Sequence, residues 1–235
     1  MSTVPDTRPR AAWLRPKNLV FAAVLLMMGY VVVHNENFLV DSANDEWKHI
    51  ESFKWWLLFH GSAGACALLL APLQFSDRLR GHFTKLHRVI GRIYVTAVFV
   101  LAPIGDYIQY LDEKLGFSRS FTIATSVDAL LLMATTGIAF YFVRQRKFQR
   151  HRLWMTPSYA VALVFFEVRL ISGIFGFDDS NTAGETIVWI CVAFAIPIAD
   201  VILQIQDSRR ARTLQGVTRT PSAPRCRARR AGDIS

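Results

Sequence analysis

Cysteine is scarce in this chain: Cys66, Cys191 and Cys226 are the only three among 235 residues. Two fall in apolar runs and one in an Arg-rich tail. None has the paired spacing that a disulfide framework or a zinc site needs, so neither underlies the fold. Charge is scarce as well, at 19% of residues against 52% hydrophobic ones, with 17 Phe and 6 Trp among them. An ordinary soluble domain is about one quarter charged; this chain has too little charge to coat a water-facing surface. Also missing are a glycine-rich phosphate loop, a nucleophile triad and a water-activating metal motif, which disfavours nucleotide and soluble hydrolase chemistry. The net charge of +9 does not point to nucleic acid, because the cations lie between apolar runs and not along one face of a soluble fold.

What is present is a series of long apolar runs. A hydrocarbon core about 30 Å thick needs roughly 20 apolar residues per helix, since backbone groups must be satisfied internally in lipid. Six runs qualify: Asn18 to Val33, Trp55 to Phe75, Val89 to Tyr110, Phe121 to Val143, Met155 to Phe177 and Glu185 to Ile205. The expected fold is an all-α polytopic bundle of six transmembrane helices over residues 18–206. A short segment 1–17 precedes it and an Arg-rich, disordered tail over 207–235 follows, both cytoplasmic. Arg8, Arg10, Arg15 and Lys17 precede the first run as in a signal peptide, but no small-x-small cleavage site follows before His34, so this run is expected to remain as a span.

Orientation follows from the basic residues. Counting Arg92 with the loop before it, all but Lys48, Lys54, Lys114, Arg119 and the intramembrane Arg169 of the 27 Lys and Arg fall on one side of these spans. The opposite side holds acids, among them Asp41, Asp45, Glu46, Asp112, Glu113, Asp178 and Asp179. Cytoplasmic loops retain positive charge, which puts both termini inside. Trp55 and Trp56 at one interface and Trp154 at the other suit helix anchoring. Pro72, Pro103 and Pro197 fall inside spans, where each removes a backbone hydrogen bond and favours a kink. The tail cluster Arg209-Arg210-Ala211-Arg212 suits anionic lipid headgroups, each such cation contributing about 1 kcal/mol near the leaflet.

Two basic segments stand out. Leu86-His87-Arg88-Val89-Ile90-Gly91-Arg92-Ile93-Tyr94 opens the third span, and His151-Arg152-Leu153-Trp154-Met155-Thr156-Pro157-Ser158-Tyr159 opens the fifth. Each follows an inward span and a short basic loop, with Tyr seven or eight residues after His, a pattern that suggests a weak internal repeat. On a helix, His87, Gly91 and Tyr94 form one stripe while Arg88 and Arg92 form its neighbour. Gly91 leaves room beside the imidazole for a flat ligand or another helix. A haem suits this arrangement: His87 and His151 as iron ligands, and Arg88, Arg92 and Arg152 on the propionates. Thr156-Pro157 could instead begin the fifth helix and leave His151 in the loop. His60, about 8 Å inside the second span, precedes the small-residue patch Gly61-Ser62-Ala63-Gly64. As a ligand it would have only His34 or His49 for a partner. Ionisable residues inside spans are costly and are usually paired or functional: here they are Asp106, Asp128, Glu167, Arg169 and Asp200, with Asp128 the expected partner of Arg169.

His60-Gly61, Leu86-His87-Arg88 with Gly91-Arg92 and Tyr94, then His151-Arg152 with Trp154-Met155 and Ser158-Tyr159-Ala160, resemble an uncharacterised family of bacterial multi-pass membrane proteins defined as a domain of unknown function. The likeness covers the second to fifth spans; the family pattern has Arg after Met in the second motif, where Thr156 stands here. It implies the helical bundle, a bacterial cytoplasmic membrane and an interest in His60, His87 and His151, without a reaction. A looser analogy joins the chain to b-type membrane cytochromes. The expected function is a membrane redox protein holding b-type haem, or serving quinone, near the cytoplasmic face. Its rivals are a small proton-coupled transporter using His60, Asp128, Glu167 and Arg169, and a scaffold or assembly factor without a cofactor.

Overall fold

The computed structural model describes residues 16–34, 51–176 and 181–218. Among them are seven helices: α1 Pro16–His34, α2 Lys54–Gln74, α3 Asp77–His82, α4 Thr84–Lys114, α5 Arg119–Arg144, α6 Phe148–Phe175 and α7 Asn181–Thr218. No strand occurs among the described residues. Five helices, α2 and α4 to α7, are long and apolar enough to cross a membrane, and α1 carries a shorter apolar stretch, Phe21–Val31. These six match the six expected runs.

The turns explain where the helices stop. Ser76 and Ser118 accept hydrogen bonds from the amides of Leu79 and Phe121, each at 3.4 Å, and so begin α3 and α5. Gly116 (φ 103°) and Gly176 (φ 68°) follow the ends of α4 and α6 in a conformation a β-carbon would strain. Pro72, Pro103 and Pro197 lie inside helices as expected. Pro157 does too: α6 begins at Phe148, so His151 is in its first turn and not in a preceding loop. Propensity at Thr156-Pro157 favoured a helix start, but the apolar face running on from Leu153 and Trp154 carries the helix through it.

Packing follows the chain: α2 lies mainly against α4, α5 against α6, and α6 against α7, with α4 and α5 adjacent and α1 against α6. The contacts are made where side chains are small, at Ala67, Ala71, Ala97, Ala124, Ala139, Ala195 and Ala199, and between them Tyr94, Val98, Val161 and Val164 fill the centre. Small residues let backbones approach closely, which is how helices associate when lipid competes with every apolar contact. The outside is apolar as well, with Trp55 67% and Leu130 61% exposed. A water-soluble protein does not leave such a belt uncovered. The segment expected to be a disordered tail from 207 is helical as far as Thr218; residues 219–235 and 1–15 lie outside the described residues.

Candidate functional site

At the end of the bundle bearing the basic turns, His87 in the first turn of α4 and His151 in the first turn of α6 act on one another electrostatically, and both feel Arg80 of α3. Three elements thus place two imidazoles and a guanidinium within electrostatic reach of one another. His151 donates Nδ1–H to the Ala139 carbonyl of α5 at 2.8 Å. A carbonyl only accepts, so the proton is fixed on Nδ1 and Nε2 is left to bind something else, the usual support for a ligating imidazole. His87 Nδ1 is enclosed with no hydrogen-bond partner among the described residues.

The stripe His87, Gly91, Tyr94 faces inward as its spacing predicts. The room beside Gly91 goes to a helix: Oε1 of Gln74, on α2, lies 3.6 Å from where a β-carbon would stand, and Gln74 Nε2 donates to the His87 carbonyl at 3.2 Å. One turn deeper, the Tyr94 hydroxyl bonds Ser158 Oγ at 2.8 Å and Ser158 Oγ bonds Thr136 Oγ1 at 2.7 Å. All three side chains are fully buried. Arg88 and Arg92, expected on the same ligand, are exposed on the outward stripe, and Arg152 is half-buried.

A second polar group occupies the half nearer the acidic turns. Asp128 of α5 lies within electrostatic reach of Asp106 of α4 and Glu167 of α6, and Ser126 is a polar neighbour of the Asp106 carboxylate. The charges acting on Asp128 are therefore acids and not the expected Arg169, whose guanidinium lies 5.2 Å from the Phe165 ring centre. Oδ1 of Asp106, Oδ1 of Asp128 and Oε1 of Gln109 are enclosed acceptors without partners among the described residues.

His60 stands between the two groups. It donates Nδ1–H to the Leu101 carbonyl of α4 at 2.9 Å, its ring lies over Gly105, and it meets Phe165 edge-on at 6.1 Å. Of its conceivable partners, His49 and the His34 side chain lie outside the description. Asp200 is on the exposed face of α7 and accepts from Gln204 Nε2 at 2.7 Å. The sequence drew no attention to Gln74, Arg80, Gly105, Gln109, Ser126 or Thr136. The available signal was polarity or smallness inside an apolar run, which many unremarkable positions share. Among the described residues no three His, Cys, Asp or Glu side chains gather as a metal-binding group.

Helices of this length, an apolar exterior and polar groups gathered at two depths define a polytopic helical membrane protein. Residues 57–203 match the family described as "Predicted membrane protein (DUF2306)", and the chain belongs to it. No curated protein and no solved structure matches the chain.

Proposed function

We propose that this chain is a membrane redox protein in which His87 and His151 bind a planar redox group at the basic end, a b-type haem by preference and a quinone as the alternative. What supports this is that His151, in the first turn of α6, lies within electrostatic reach of His87, in the first turn of α4, with His151 Nε2 left available by the Ala139 bond. Two neutral imidazoles suit haem iron, and the half-buried Arg80 and Arg152 are the cations of this end whose chemistry suits propionates. When bound, the haem would supply one-electron chemistry; the protein's part is to hold the imidazoles, set their tautomer and exclude water. The Gln74 side chain over Gly91 limits the group to the rim side of that glycine. The test is the absorption spectrum of detergent-purified protein from haem-replete cells, oxidised and dithionite-reduced. A Soret band lost in His87→Ala and in His151→Ala is expected; a folded, colourless preparation refutes haem.

The acidic group favours a second reading, a proton-coupled carrier. Three acids on three helices at membrane depth, with Asp106 and Asp128 each keeping an unpartnered oxygen among the described residues, are expensive unless they exchange protons or pair. Reconstituted protein should then show pH-driven flux that Glu167→Gln or Asp128→Asn stops without altering the fold; unaltered flux in both variants removes this reading.

A further inference from the structure

Lys85, Arg88 and Arg92 lie three and four residues apart in the first turns of α4, a spacing that stacks them along one stripe. All three are exposed, while His87, Ile90, Gly91 and Tyr94 turn to the bundle from the other side. The stripe runs on to Phe99 and is bordered by Val89 and Ile93, all three exposed apolar residues. The face that carries the cations is therefore the face that meets lipid. Among the described residues no acidic side chain pairs with any of the three.

Three like charges in this register repel one another, and a guanidinium rooted two turns into an apolar helix is costly until it finds a polar partner. Helical side chains lean toward the N-terminus, which for α4 is the basic end. Arg92, about 12 Å along the helix from Thr84, can therefore carry its head back beside Arg88 and Lys85 while its stem covers apolar surface. Next to them, at the corner of α3 and α4, His82, Phe83, Thr84, Lys85 and Leu86 line a shallow groove of ≈ 340 Å³.

We infer that this stripe binds the phosphate headgroup of an anionic phospholipid of the surrounding bilayer. The two guanidiniums present paired N–H donors to phosphate oxygens and the Lys85 ammonium a third positive charge. The acyl chains then lie along Val89, Ile93 and Phe99. The site is separate from the imidazole pair, which faces the opposite side of the same helix.

Native mass spectrometry of the full-length protein tests this, after equilibration with vesicles of mixed phosphatidylglycerol and phosphatidylcholine. The wild type retains phosphatidylglycerol selectively. The Lys85→Gln/Arg88→Gln/Arg92→Gln variant loses this roughly tenfold, the scale of one strong charge-assisted contact, while Arg88→Lys/Arg92→Lys keeps most of it. Arg144→Gln/Arg150→Gln, at the α5–α6 turn, retains lipid like the wild type. Equal retention by the triple variant overturns the proposal, as does equal loss in the α5–α6 control, which would mean a diffuse charge effect. Displacement of the lipid by inorganic phosphate also overturns it, since the ligand would then be a free anion. Should the triple variant not fold, Arg92→Gln alone decides by the same readout.

Discussion

His60 shows how much one glycine decides. A β-carbon at Gly105 would stand 2.8 Å from His60 Cε1 and 3.1 Å from Nδ1, so only glycine lets the ring lie on α4 and reach the Leu101 carbonyl. Gly105→Ala must push the imidazole away and break that bond, and overpacking of this kind costs about 1–3 kcal/mol. Thermal unfolding in detergent should show it, and the cost should shrink when His60 is already Ala, because the clash has lost its partner. An undiminished cost in the double variant would show that Gly105 matters for some other contact. The sequence marked His60 as notable but gave no sign of Gly105, since sequence separation hides a contact made between helices.

Between helices, the hydroxyl chain Tyr94–Ser158–Thr136 ties α4, α6 and α5 together in the buried centre of the bundle. Ser158 is its middle member, so Ser158→Ala leaves two buried hydroxyls without their partner, whereas Tyr94→Phe removes an end and leaves the Ser158–Thr136 bond intact. Leaving a buried polar group unsatisfied costs about 1–3 kcal/mol, against roughly 1 for a hydrogen bond removed with its donor. Ser158→Ala should therefore lower stability more than Tyr94→Phe in equilibrium unfolding from mixed micelles. An equal or smaller loss would mean that the chain is not the tie between these helices. The motifs containing Tyr94 and Ser158 were visible in the sequence; that they close on each other through Thr136 was not. Helix periodicity gives the direction of each side chain but not the helix it faces.

For the whole molecule, the apolar exterior and the short turns between α4 and α5 and between α5 and α6 set alternate turns at opposite ends of the bundle. The basic turn Gln145–Lys147 and the acidic turn near Glu113 then lie on opposite sides of the bilayer. In a cysteine-free background a membrane-impermeant thiol reagent added to intact cells should label Glu113→Cys and spare Gln145→Cys, as positive loops stay inside. The reverse pattern would invert the orientation, and labelling of both would break the span order.

Membrane class, the six apolar helical segments, five of them of spanning length, and the stripe of His87, Gly91 and Tyr94 were all set by the chain's own pattern. Length and polarity per residue are local properties, and lipid imposes one secondary structure on them. Partner choice was left to the tertiary structure. It put Gln74 against Gly91, set Asp128 beside Asp106 and Glu167 in place of Arg169, turned Arg88 and Arg92 outward, and kept His151 on its helix. Each of these depends on which faces of distant helices meet, and close packing of small residues at the crossings determines that.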